Sequence, residues 1–144
     1  MKLALAFALP LALAALPAAA KSCYVTAATS GAVPPPVIKE QCFEFTGLDN
    51  GDALDWACRN NTEEVLNERR ETRASCPGGY FATCTGRMTP ESLTSARATG
   101  SQGDPQLFEG TIPEDAKIVN YYYEATDHAQ AKIDCESGGG TWGQ

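Results

Sequence analysis

The sequence predicts a small α+β domain: an antiparallel sheet of about three strands with two or three helices, stapled by disulfides. Three observations carry that prediction. Six cysteines occur in a 144-residue chain with a single histidine. Short stretches alternate apolar and polar residues, as half-buried strands do. Between them lie turn and capping signals in the order strand, helix, strand, strand, helix, which places two helices on one face of the sheet.

The chain opens on a leader. Met1-Lys2 is a minimal basic start, residues 3–16 are uncharged and apolar, and Ala18-Ala19-Ala20 supplies the small residues a signal peptidase requires. Residues 1–20 are therefore expected to be a cleaved signal peptide, with Lys21 as the new N-terminus. The apolar run is shorter than the roughly 20 residues that span a bilayer, and Pro10 interrupts it. No membrane insertion is expected after cleavage. Lipid attachment at Cys23 is disfavoured by Lys21 and by the odd cysteine count it would leave behind.

Residues 21–40 carry Pro34-Pro35-Pro36 and read as an extended lead-in to a single domain at 41–144. Cys42-Phe43-Glu44-Phe45-Thr46 alternates as a strand. Gly47 to Asp52 is a turn, and Leu54, Ala57 and Cys58 mark a short helix. Asn61 or Thr62 is expected to cap a second, mostly exposed helix reaching about Thr72. Pro77-Gly78-Gly79 breaks the chain before a strand at Tyr80–Cys84. Residues 86–114 are polar and rich in glycine and proline, so they read as a long loop pinned by Leu107 and Phe108.

Lys117–Thr126 gives the strongest strand pattern. Val119, Tyr121 and Tyr123 share one face, with the two tyrosines expected to pack inward and Tyr122 to point outward or under a helix. Asp127 then caps a last helix with Gln130 three residues on, and Gly138-Gly139-Gly140 ends it.

The cysteines Cys23, Cys42, Cys58, Cys76, Cys84 and Cys135 form no C-x-x-C, so a disulfide framework is expected rather than zinc. Six cysteines allow 15 connectivities, among which Cys58–Cys76 is favoured because a helix end and a Cys-Pro turn fold back on each other. The pairing of Cys135-Glu136 with Gly139-Gly140 and Trp142, together with Cys76-Pro77 and the triple-tyrosine strand, resembles small cysteine-rich exported proteins of bacteria. The resemblance spans about residues 42–142 and implies no activity.

A formal net charge of −7 argues against nucleic acid, which requires clustered positive charge. The densest basic group, Arg69, Arg70 and Arg73, is interleaved with Glu68 and Glu71. Asp49, Asp52 and Asp55 miss the spacing of a calcium loop. Glu44 and Glu124 are a conceivable carboxylate pair. His128 lacks an evident nucleophile or metal partner. No catalytic residue, metal or cofactor is assigned.

The function expected is a secreted or periplasmic binding or structural domain without enzymatic activity, its partner an unidentified protein or small ligand. Tyr122, Leu107, Phe108 and Trp142 are the candidate binding surface. Two alternatives remain: a small hydrolase using His128 with a carboxylate, and an inhibitor or effector presenting the 86–114 loop.

Overall fold

A computed structural model describes residues 22–27, 36–48, 51–58, 68–93 and 111–144, with the side chains of Asp52, Trp56 and Leu93 outside that description. The expected three-strand α+β fold is corrected. The described residues form one six-stranded sheet from β1 (Ser22–Thr26), β2 (Ile38–Thr46), β3 (Arg69–Arg73), β4 (Ala82–Arg87), β5 (Lys117–Ala125) and β6 (Thr141–Gly143). Its order is β3-β1-β2-β5-β4-β6, and every neighbouring pair is antiparallel. The helices are short: α1 (Asp52–Ala57), α2 (Pro90–Leu93) and α3 (His128–Ser137).

Two strands escaped the sequence pattern for different reasons. β1 lies in the segment assigned to a lead-in, yet it pairs with β2 along its whole length, from Ser22 opposite Glu44 to Thr26 opposite Glu40. The sheet therefore begins at Ser22, ahead of the boundary expected near Gln41. β3, with the sequence RRETR, was expected to be the end of a helix, because Arg and Glu are good helix formers. It pairs instead with β1 from Ser22 opposite Arg73 to Thr26 opposite Arg69. Pairing outweighs propensity here, and a charged strand suits a sheet edge, where it discourages further pairing. The remainder of that expected helix, 61–67, lies outside the described residues.

Register sorts the side chains onto two faces. Cys23, Phe43, Ile118, Asn120, Tyr122 and Cys84 share the inner face, and α1 and α3 both pack there. Two separate apolar clusters result. One joins Cys23, Val25, Phe43 and Ile118 to Leu54, Ala57 and Cys58 of α1 and its C-cap. The other joins Ala82, Cys84 and Tyr122 to Cys135 of α3, with Trp142 against it.

Three disulfides form and no described cysteine is free. The pairs are Cys23–Cys58, Cys42–Cys76 and Cys84–Cys135, so the favoured Cys58–Cys76 bond is corrected. The reason is the alternation of β1 and β2. Cys23 lies opposite Phe43 and Tyr24 opposite Cys42, so neighbouring cysteines point to opposite faces. Cys23 meets the end of α1 on the inner face, and Cys42 takes Cys76 on the outer one. Two disulfides thus tie the two helices to the inner face, at β1 and at β4.

Both ends of the expected 86–114 loop are anchored. Met88 and Ala116 are buried, and Ile112 packs against the first cluster. Thr89 and Ser92 cap α2 reciprocally: each backbone N–H donates to the other's hydroxyl, at 2.8 and 3.1 Å. Residues 94–110, including Leu107 and Phe108, lie outside the described residues.

Candidate functional site

Between the two clusters the described residues leave the inner face unfilled. A cavity of about 780 Å³ lies over the middle of the sheet, and β1, β2, β4, β5, α2 and α3 all contribute to its walls. Apolar surface dominates, from Val25, Ile38, Ile118, Tyr122 and Ala131 among others. The size falls within the range of cavities that enclose small organic ligands. Room is available partly because residues of the C-terminal turn of α3 are glycines. Gly139 adopts φ +83°, and Gly140 donates its N–H to Cys135 O at 2.9 Å while Gly139 donates to Glu136 O at 3.1 Å. These bonds close the helix in a Schellman turn, whose left-handed residue favours glycine.

Gln41 and Asn120 are polar residues of the sheet that line this cavity. Asn120 is 3% exposed and Gln41 6%. In register, Asn120 sits between Phe43 of β2 and Cys84 of β4, and Gln41 between Val25 of β1 and Tyr122 of β5. The carbonyl oxygens of both side-chain amides are buried without a hydrogen-bond partner among the described residues. Burying an amide unpaired costs about 1–3 kcal/mol, and asparagine is itself disfavoured in strands. Two such residues on one cavity wall break the rule that buried polar groups are satisfied.

Of the charged residues that line the cavity, Arg87 is exposed and three others bond within the protein. Glu68 pairs with Arg70 at 2.5 Å and Lys39 with Glu124 at 3.1 Å. Asp134 of α3 accepts from Gln130 Nε2 at 2.9 Å. Burial pushes the Tyr122 hydroxyl up to about 12, and the Asp134 carboxylate adds to the effect.

The outer face carries a second group of aromatics, but its polar atoms are employed within the fold. Tyr24 packs tilted against Tyr123 with ring centres 5.5 Å apart, and Arg73 lies 3.9 Å over the Tyr24 ring. Tyr24 donates its hydroxyl to Glu40. Glu44 accepts from Cys76 N at 2.7 Å and from the Tyr121 hydroxyl at 3.2 Å. Tyr123 donates to Pro77 O at 2.6 Å. These bonds, with the Cys42–Cys76 disulfide, hold the segment after β3 against the sheet.

The expected inward packing of Tyr121 and Tyr123 is therefore corrected, and of the two placements expected for Tyr122 the structure has the one under a helix, beside Cys135 of α3. Tyr122 is 3% exposed and belongs to the inner core, whereas Tyr121 and Tyr123 are half-buried on the outer face. Tyrosine suits either face, because its ring packs while its hydroxyl finds an acceptor. Trp142 is half-buried against Tyr122 and Phe81. Of the expected binding surface, Tyr122 lines the cavity, Trp142 backs Tyr122, and Leu107 and Phe108 lie outside the described residues.

His128, at the first position of α3, stacks flat on Phe81 with ring centres 3.9 Å apart. Glu124, exposed beside Lys39, is paired away from the Glu44 site. Among the described residues no group of three or more His, Cys, Asp or Glu side chains is placed to hold a metal ion. Asp49 lies outside the described residues, and Asp55 is exposed.

Gln41 and Asn120 were not singled out in the sequence, although one signal was present. In KIVNYYY a lone asparagine interrupts a strand that is apolar on both faces. A polar residue in that position is either an outward contact or a buried functional group, and only the register decides which.

No protein-family model, no curated protein and no solved structure matches this chain.

Proposed function

We propose that this protein is an exported binding domain that takes a small, mainly apolar molecule into the cavity between the sheet, α2 and α3. The observation that carries the reading is the pair of buried, unpartnered side-chain carbonyl oxygens of Gln41 and Asn120 on the wall of a 780 Å³ cavity. Polar groups that cost stability and satisfy nothing within the chain are expected where a fold has been bent to a function. Three disulfides and the leader-like residues 1–20 support export to an oxidising compartment. Among the described residues no helix is long and apolar enough to cross a membrane.

The test uses N-phenyl-1-naphthylamine, a neutral aromatic amine whose fluorescence rises in apolar surroundings. One saturable site per chain is expected. Gly86 lines the cavity, and a Cβ placed there meets no atom within 4 Å. Gly86→Phe should therefore project a ring into the cavity, weaken dye binding severalfold or more and leave the folded state intact by circular dichroism. Failure of the native protein to bind the dye saturably, or undiminished binding in folded Gly86→Phe, would remove the reading.

A further inference from the structure

Resting on that reading of the cavity, we infer that the ligand presents an uncharged carboxamide, or a like pairing of N–H donor and carbonyl acceptor, to Gln41 and Asn120. Each of these side chains is itself an amide, offering a carbonyl oxygen and two N–H donors. The group that answers both ends of an amide is another amide. Gln41 and Asn120 are diagonal neighbours across the β2–β5 pair, since Gln41 is opposite Tyr122 and Phe43 opposite Asn120. Diagonal side chains on one sheet face are within reach of a single bound group.

Charge points the same way. A ligand carboxylate would need a cation to offset its lost hydration. Lys39 is committed to Glu124 at 3.1 Å, and Arg87 is exposed. Asp134 among the lining residues adds repulsion, while Glu68 is offset by Arg70. A ligand ammonium would be drawn to Asp134, which keeps its charge while accepting from Gln130 at 2.9 Å, so the ammonium is the rival the experiment has to separate. Against mostly apolar walls, an ion of either sign loses more hydration than a neutral amide does.

The experiment is displacement of N-phenyl-1-naphthylamine from the intact, oxidised protein at pH 7 by three eight-carbon probes: octanamide, octanoate and octylamine. Octanamide is expected to displace the dye at concentrations about tenfold or more below either ion, a difference of about 1.4 kcal/mol. Asn120→Leu and Gln41→Leu should bring octanamide down to the level of octanoate while the dye still binds. Asn120→Asp, which adds charge at almost constant shape, should move the preference to octylamine. Equal or tighter displacement by octanoate or octylamine in the native protein would overturn the inference. So would a dye that binds yet is displaced by none of the three, and in that case the cavity reading stands. If the dye itself does not bind, both fall together.

Discussion

At the scale of single residues, Asn120 is a polar side chain in the centre of an apolar sheet face, and the protein tolerates it at a cost. Without ligand, its amide oxygen gives up water and receives no bond in return. Asn120→Leu keeps the branched shape, places its extra bulk against the cavity and removes that penalty. Ligand-free Asn120→Leu should be more stable than the native protein by about 1 kcal/mol, seen as a higher urea midpoint with an unchanged slope. A lower midpoint would mean that the amide is satisfied in solution, and that its burial is structural. Sequence alone shows Asn120 flanked by Val119 and Tyr121 but not which face it occupies. Strand alternation leaves two choices, and polarity favours the wrong one.

At the scale of elements, the last helix was legible because its ends are encoded locally. Asp127 accepts from Gln130 N at 3.0 Å, as the capping pattern predicts, and the glycine run closes the far end. What the pattern conceals is why Gly140 in particular is glycine. A Cβ there would lie 2.6 Å from Cys84 Sγ and 2.9 Å from Cys135 Sγ, inside contact distance. The turn passes directly over the disulfide that joins α3 to β4. Gly140→Ala should lower the melting temperature measurably, by the 1–3 kcal/mol typical of overpacking. Gly78→Ala, where a Cβ meets nothing within 4 Å, should change it little. Equal effects at the two positions would show that crowding at the disulfide is not what Gly140 relieves. Strands were less legible than this helix, because β1 and β3 draw their stability from partners distant in sequence. RRETR becomes a strand only once β1 is beside it.

At the scale of the whole molecule, the sheet separates two tyrosine environments, and both oppose ionisation. Tyr122 on the inner face and Tyr123 on the outer face are each pushed up from 10 to about 12, first by burial. At Tyr122 the second cause is Asp134. At Tyr123 the further causes are Glu44, Tyr121 and Glu40, against a smaller lowering by Arg73. Tyr121 is also raised, by burial and then by Glu44. Below about pH 10 these hydroxyls are protonated whether the chain is folded or not, and their contribution is intact. As the pH climbs from 10 to about 12 the unfolded chain ionises first, so stability falls across that window. Denaturation midpoints should decline there, and absorbance at 295 nm should show part of the tyrosine ionising late, together with unfolding. Tyr122→Phe should shrink the late fraction. Ionisation of all tyrosines near pH 10 in the folded protein would contradict these assignments. The disulfides set the background stability. Closing 35, 34 and 51 positions is worth about 4 kcal/mol each in the chain-entropy picture. The first two loops overlap along the chain, so their contributions do not simply add.

Sequence by itself determined what depends on neighbours a few residues apart: the capped helix α3 and its glycine stop, the short helix α1, the strand character of β2, β4 and β5, and a cysteine set suited to pairing. Long-range pairing settled the rest: six strands in place of three, the partners of each cysteine, the inward face of Tyr122, and the two amides that share a cavity wall. The physical reason is the same in each case. Period-two alternation specifies that two faces exist, but which face is buried is fixed by pairing between segments tens of residues apart. β1, invisible as a strand, is the element that places Cys23 over α1 and completes the floor on which Gln41 and Asn120 stand.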